Sequence, residues 1–110
     1  VAGVNNTGYG LKNFNRYTGK FQFVINAPIE PQPIFGLMQQ ESKFSDEKMH
    51  MTFNMGMGFF VICRNEDADS ILDICQKYRQ EAKIVGDVVK AGKTSTILEK
   101  NGKNTVFEGY

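Results

Sequence analysis

Thr52-Phe53-Asn54-Met55-Gly56-Met57-Gly58, running directly into Phe59-Phe60-Val61-Ile62-Cys63, is the stretch whose reading decides how this chain folds. Two glycines spaced by one residue precede a short apolar run of strand character. Lacking a Cβ, Gly56 and Gly58 can take φ > 0 and leave their amides exposed to an anion or a planar ligand. Thr52 and Asn54 add a hydroxyl and an amide beside them. The expected shape is a polar cradle on the lip of a sheet, where ligands of α/β and α+β domains tend to bind. The same spacing also suits a tight approach to a strand with no ligand at all.

Outward from this stretch the elements follow in order. On the N-terminal side, Ser45 is placed to cap a short helix, with Asp46 and Glu47 in its first turn. Phe44 and Met49 stand where a hydrophobic staple would close over that cap. Met49, Met51, Met55 and Met57 alternate as core residues do, and His50, the one histidine, reads as structural. Further back, Phe21–Asn26 alternates as a strand, 27–32 is a proline-rich loop, and Pro33 suits the first position of a helix carrying Ile34, Leu37 and Met38. On the C-terminal side, a helix is expected from about Asn65 to Gln80, with the apolar stripe Ala68, Ile71, Leu72, Cys75 and Tyr78. A strand over Ile84–Val89 and a hairpin turning at Asn101-Gly102, between Thr94–Leu98 and Thr105–Phe107, complete the chain. This order predicts an α+β domain: a mixed or antiparallel sheet with helices packed on it.

Composition narrows the class. At 110 residues the chain reads as a single domain spanning 1–110, with one core. A net charge of +1 and scattered lysines give no electrostatic argument for nucleic acid or an anionic membrane. No apolar run reaches the length that spans a bilayer. Cys63 and Cys75 fall in apolar settings and form no C-x-x-C pair, which reads as buried, reduced thiols and a cytoplasmic compartment. The chain opens on the strand-like Val1-Ala2-Gly3-Val4 rather than on Met, as a domain cut from a longer protein would.

The first twenty residues break the regular pattern. Asn5-Asn6-Thr7-Gly8-Tyr9-Gly10-Leu11-Lys12-Asn13-Phe14-Asn15-Arg16 repeats the Gly-x-Gly device at Gly8 and Gly10, and Arg16 supplies a fixed cation suited to phosphate or carboxylate. By composition alone the run reads as a surface loop. No dinucleotide fingerprint, P-loop, nucleophile elbow or catalytic triad can be assembled, and no metal-binding cluster either.

Three of these segments carry a resemblance. Thr7-Gly8-x-Gly10-Leu11-x-Asn13-x-x-Arg16, Pro31-x-Pro33-Ile34-Phe35-x-Leu37-x-Gln39 and Met49-x-x-Thr52-Phe53-Asn54-Met55-Gly56-Met57-Gly58 are similar, in this order, to motifs of the phosphoribosylformylglycinamidine cyclo-ligase (aminoimidazole ribonucleotide synthetase) family, C-terminal domain. Lys83-Ile84-Val85-Gly86 also looks like a strand of that family. One departure stands out: Asn5-Asn6 occupies the place of the family's usual His-Ile pair.

The resemblance implies a fold of that C-terminal type within a longer two-domain enzyme. It also implies an ATP-dependent ligase of purine biosynthesis that closes the imidazole ring of formylglycinamidine ribonucleotide. That chemistry rests on positioning and on stabilising phosphoryl oxygens rather than on a protein nucleophile. Thr7, Gly8, Gly10, Asn13, Arg16, Thr52, Asn54, Gly56 and Gly58 are the residues it puts forward for substrate or nucleotide binding. ATP and Mg²⁺ would be bound mostly by an N-terminal domain, the full-length protein would be a homodimer, and this stretch by itself would be inactive. Sister enzymes of the superfamily, such as thiamine-monophosphate kinase, selenophosphate synthetase or the hydrogenase-maturation protein, are one alternative. A stand-alone binding module without catalysis is another.

Overall fold

The structure, a computed structural model, describes residues 1–17 and 19–109. In chain order it contains β1 (Ala2–Asn5), a 3-10 helix (Gly10–Arg16), β2 (Phe21–Ile25), α1 (Pro33–Ser42), α2 (Asp46–Thr52), β3 (Phe59–Ile62), α3 (Asn65–Lys77), β4 (Gly86–Lys90), β5 (Ser95–Lys100) and β6 (Lys103–Glu108). β1 and β3 form an antiparallel ribbon in which Val4 lies opposite Phe60. The other strands form a sheet in the order β4-β2-β5-β6. β2 and β5 run parallel, while β4 and β6 are antiparallel to their neighbours. The parallel pair requires a long crossover, and everything from α1 to β4 lies within it. The expected α+β class with a mixed sheet is what the chain adopts.

Strand periodicity places the core. Phe23 faces Thr96, which faces Phe107, and Ile25 faces Leu98, so one side of the sheet presents a continuous buried row. The 3-10 helix closes over that row with Leu11 and Phe14. The Phe14 ring sits 5.0 Å from Phe23 and 4.7 Å from Phe60, joining the sheet to the ribbon. Full burial of each such side chain is worth about 2–3 kcal/mol. The polar opening run is therefore not a surface loop: its glycines and asparagines wrap two core residues that its composition conceals.

Local signals explain most element ends. Ser45 Oγ accepts from the Lys48 amide and caps α2. Pro33 begins α1, and Asn101 and Gly102 both take positive φ at the hairpin turn, as a type I′ turn requires. Met49, Met55 and Met57 are buried and Met51 half-buried, in line with their reading as core.

Other expectations are corrected. β3 ends at Ile62, one residue before Cys63, α3 ends at Lys77, and β4 begins only at Gly86. Cys63 and Cys75 are free, as expected, but half-buried rather than enclosed. On α1, Ile34 and Leu37 are exposed. On α3 the stripe from Ala68 to Cys75 is half-buried and Tyr78 is exposed. Periodicity identified these stripes as helical; amphipathic spacing alone does not say how deeply a stripe is covered.

Candidate functional site

The three sequence motifs converge through close backbone contacts. Gly10 takes φ 54°, and a Cβ there would stand 1.7 Å from the His50 carbonyl oxygen. Only glycine lets the first loop lie against the end of α2 in this way. Gly56, at φ 92°, leaves its α-face to Pro31 and Gln32 of the proline loop, 3.2 Å from Gln32 Oε1 to an added Cβ. The Phe35 and Phe53 rings, one from each of the second and third motifs, lie 6.1 Å apart.

Asparagine side chains replace regular secondary structure in holding these loops. Asn54 Oδ1 accepts from the Gly56 amide at 2.9 Å, an Asx turn that carries Met55 through positive φ. Asn13 Nδ2 donates to the carbonyls of Gly8 (2.8 Å) and Gly10 (2.7 Å), gathering the first loop from inside. Asn6 Nδ2 donates to the Met57 carbonyl at 2.8 Å and the Asn54 carbonyl at 3.2 Å, while the Asn6 amide donates to the Gly58 carbonyl. Asn6 therefore joins the first loop to the third motif. Its Oδ1 is a buried acceptor with no partner among the described residues. Rotating the amide would turn that oxygen toward two carbonyls, so the network itself fixes the orientation.

These bonds revise the cradle read from the sequence. Gly56 takes positive φ but its amide is used by Asn54, and Gly58 does not take positive φ. In the first loop the left-handed residues are Tyr9 and Gly10, not Gly8, and the Gly10 amide donates to the Thr7 carbonyl. The amides of Thr7, Gly8 and Gly58 have no hydrogen-bond partner among the described residues.

Beside the first loop lies a cavity of about 350 Å³, lined by Gly3, Val4, Asn5, Thr7, Asn13, Arg16 and Tyr17. Of the residues put forward from sequence, the structure brings Thr7, Asn13 and Arg16 together there. Gly8 and Gly10 shape the same loop without lining the cavity. Thr52 points elsewhere: its hydroxyl donates to the Lys48 carbonyl at 2.7 Å, within α2. Asn54, Gly56 and Gly58 stand one layer away, connected through Asn6. Asn5 lines the cavity, whereas Asn6 is turned inward. Sequence reasoning missed Asn6 and Tyr17 as site residues. Tyr17 carried no signal beyond following Arg16, and strand alternation from Val4 would have pointed Asn6 inward.

The polar groups lining the cavity are the Arg16 guanidinium, the hydroxyl and unengaged backbone amide of Thr7, the Asn5 side-chain amide, and the Oδ1 of Asn13, whose Nδ2 is already used by the Gly8 and Gly10 carbonyls. This set suits an anionic or polyhydroxylated ligand bound by several weak contacts. Among the described residues no three His, Cys, Asp or Glu side chains come together as a metal site. No helix among them is long and apolar enough to cross a membrane.

The sequence profile described as AIR synthase related protein, C-terminal domain, matches residues 16–99. Among curated proteins, the chain is 38% identical over 100 residues to a phosphoribosylformylglycinamidine cyclo-ligase of Methanocaldococcus jannaschii, covering 91% of this chain and 27% of that protein. It is 43% identical over 86 residues to the one of Methanosarcina barkeri, covering 78% of this chain and 24% of that protein. The protein of that name from Methanococcus vannielii is 32% identical over 109 residues, 93% of this chain and 31% of the relative. The chain thus spans about a quarter to a third of the length of these relatives. With the profile covering most of its length and the three motifs meeting in space, this chain belongs to the family of AIR synthase related protein C-terminal domains.

Proposed function

We propose that this chain acts as the C-terminal domain of an ATP-dependent cyclo-ligase that closes the imidazole ring of formylglycinamidine ribonucleotide in purine biosynthesis. The observation that carries this reading is the cavity where Asn5, Thr7, Asn13 and Arg16 meet, in a chain whose relatives bear the cyclo-ligase name. A ribonucleotide offers what that wall would hold: a phosphate for Arg16 and the free Thr7 amide, and ribose hydroxyls for Asn5, the Asn13 Oδ1 and the Thr7 hydroxyl. Asn6 supports the reading in a second way. It keeps the Asn54–Gly58 turn in fixed relation to the first loop, so a bound substrate meets a surface that does not have to reorganise.

The role assigned to these residues is binding and orientation. Ring closure needs an activated amide oxygen and a nitrogen held within reach of the carbon it attacks, and positioning alone accounts for a large part of such a barrier. ATP would supply the phosphoryl group. The ligands of Mg²⁺ and most of the ATP contacts would belong to a further domain. In this reading the complete enzyme is a cytoplasmic homodimer, and the 110 residues alone give no turnover.

The test is ADP release by the full-length gene product with ATP, Mg²⁺ and formylglycinamidine ribonucleotide, against a control without the ribonucleotide. Release that depends on the ribonucleotide, with aminoimidazole ribonucleotide formed, is expected. A well-folded protein without such release would shift the assignment to a sister activity or a binding module.

A further inference from the structure

A second cavity, of about 250 Å³, opens where α1, α2 and the β5–β6 hairpin come together. Its floor is apolar, made by the buried Met55 and Leu98. Its walls carry Gln39, Asp46, His50, Lys100 and Lys103. None of these residues lines the cavity beside the first loop, so a ligand bound here would be independent of the proposed cyclo-ligase role.

The charges around this cavity do not cancel. Asp46 accepts from Gln39 Nε2 at 2.8 Å and lies 3.8 Å from Lys103 Nζ, and the Gln39 hydrogen bond holds its pKa below the ordinary carboxylate value. Lys100 is half-buried and has no ion-pair partner among the described residues. A partly desolvated ammonium beside an apolar floor gains from a counter-ion. His50 is buried, and its Nδ1 donates to the Asp46 carbonyl at 2.8 Å, which leaves Nε2 as the ring nitrogen free to engage a ligand.

Gly36 supplies an independent observation. It occupies the interior of α1, where glycine costs about 1 kcal/mol relative to alanine. Nothing lies within 4 Å of where its Cβ would be, so packing does not demand glycine there. It lines the cavity, and its missing side chain keeps that wall open.

We propose that this cavity binds a small organic anion, with its phosphate or carboxylate held by Lys100 and His50 and its apolar body resting on Met55 and Leu98. His50 is the only histidine in the chain, so its ring resonances report on the site directly. The experiment titrates the chain with phenyl phosphate, benzoate and inorganic phosphate in parallel, following the His50 ring by NMR. Saturable shifts are expected with phenyl phosphate or benzoate, weaker with inorganic phosphate, together with a rise in the His50 pKa as the anion binds. Which of the first two binds more tightly tells the phosphate class from the carboxylate class. Lys100→Gln should weaken binding about tenfold, as loss of a charge-assisted contact does, with Lys100→Arg retaining most of it. Asp46→Asn should tighten binding by removing the one carboxylate in the wall. Gly36→Ala should weaken binding while leaving the fold intact or more stable. No saturable shift with any of the three probes, or binding unchanged in folded Lys100→Gln, would overturn the proposal.

Discussion

Residues 5–16 and 52–58 contain little extended secondary structure, yet they include Asn6, Leu11, Asn13, Phe14, Met55 and Met57, all buried. Helices α1 and α3, the longest elements, contain no buried residue. In the loops, three asparagine side chains satisfy carbonyls and an amide that a helix or sheet would otherwise have paired, and glycine permits the contact between Gly10 and His50. The helices satisfy their own backbone and leave Ile34, Leu37 and Ile74 exposed. Of these two regions, the one built from loops and a 3-10 helix is therefore the better buried and more cross-bonded, which is the arrangement a binding surface needs if its polar groups are to stay in place.

The largest difference in stability is expected between the two glycines of one loop. Gly10→Ala forces a Cβ into the His50 carbonyl at a positive φ and should cost about 3 kcal/mol or more, measured by chemical denaturation. Gly8→Ala, two residues away, meets nothing within 4 Å and should leave the denaturation midpoint nearly unchanged. Equal effects at the two positions would mean that the loop is not held against α2.

Next in size is Asn6→Ala. Removing Nδ2 strands the Met57 carbonyl and leaves the Asn54 carbonyl with only the Met57 amide, and a loss of about 2–3 kcal/mol is expected. Leucine, closer in volume to asparagine, should be no better, because hydrogen bonds and not volume hold the loops here. Asn54→Ala is expected to be milder. Its side chain is exposed and braces one turn, so a stability loss of about 1 kcal/mol should accompany a larger fall in turnover of the full-length enzyme. A fall in activity no greater than the loss of folded protein would make Asn54 a structural brace only.

Much of this was legible in sequence, for reasons tied to particular residues. Ser45, Pro33 and Asn101-Gly102 act locally, so their effects on α2, α1 and the hairpin could be read without knowing the rest of the fold. The alternation in Phe21–Ile25 likewise marked the inward face of β2. The 3-10 helix could not be read in this way, because Leu11 and Phe14 are isolated among glycines and asparagines whose bonds reach across the chain. Asn6 illustrates the same limit: its partners, Asn54 and Met57, lie 48 and 51 residues away. The cavity beside the first loop gathers Thr7, Asn13 and Arg16 as the sequence suggested. Thr52 is left out because its hydroxyl turns back onto α2.

Titration offers a smaller and more selective probe. Burial holds the His50 pKa below its usual 6.5, outweighing the Asp46 carbonyl that would raise it. Such a group contributes fully above the unfolded value and loses its contribution as pH falls from there toward the folded pKa. Stability should therefore decline as pH drops below about 6.5, and His50→Gln should remove that part of the decline. The least effect is expected on the helices: Leu37→Ser on exposed α1 should change stability by no more than about 0.5 kcal/mol in thermal melts.

Whether the two loop segments form the substrate surface is tested most directly by hydrogen–deuterium exchange of the full-length gene product with and without formylglycinamidine ribonucleotide. Added protection concentrated in residues 5–16 and 52–58, with α1 and α3 unchanged, is the predicted result. Saturating ribonucleotide that leaves those two segments unprotected, or protects only the helices, would contradict the assignment of the loops as the substrate surface.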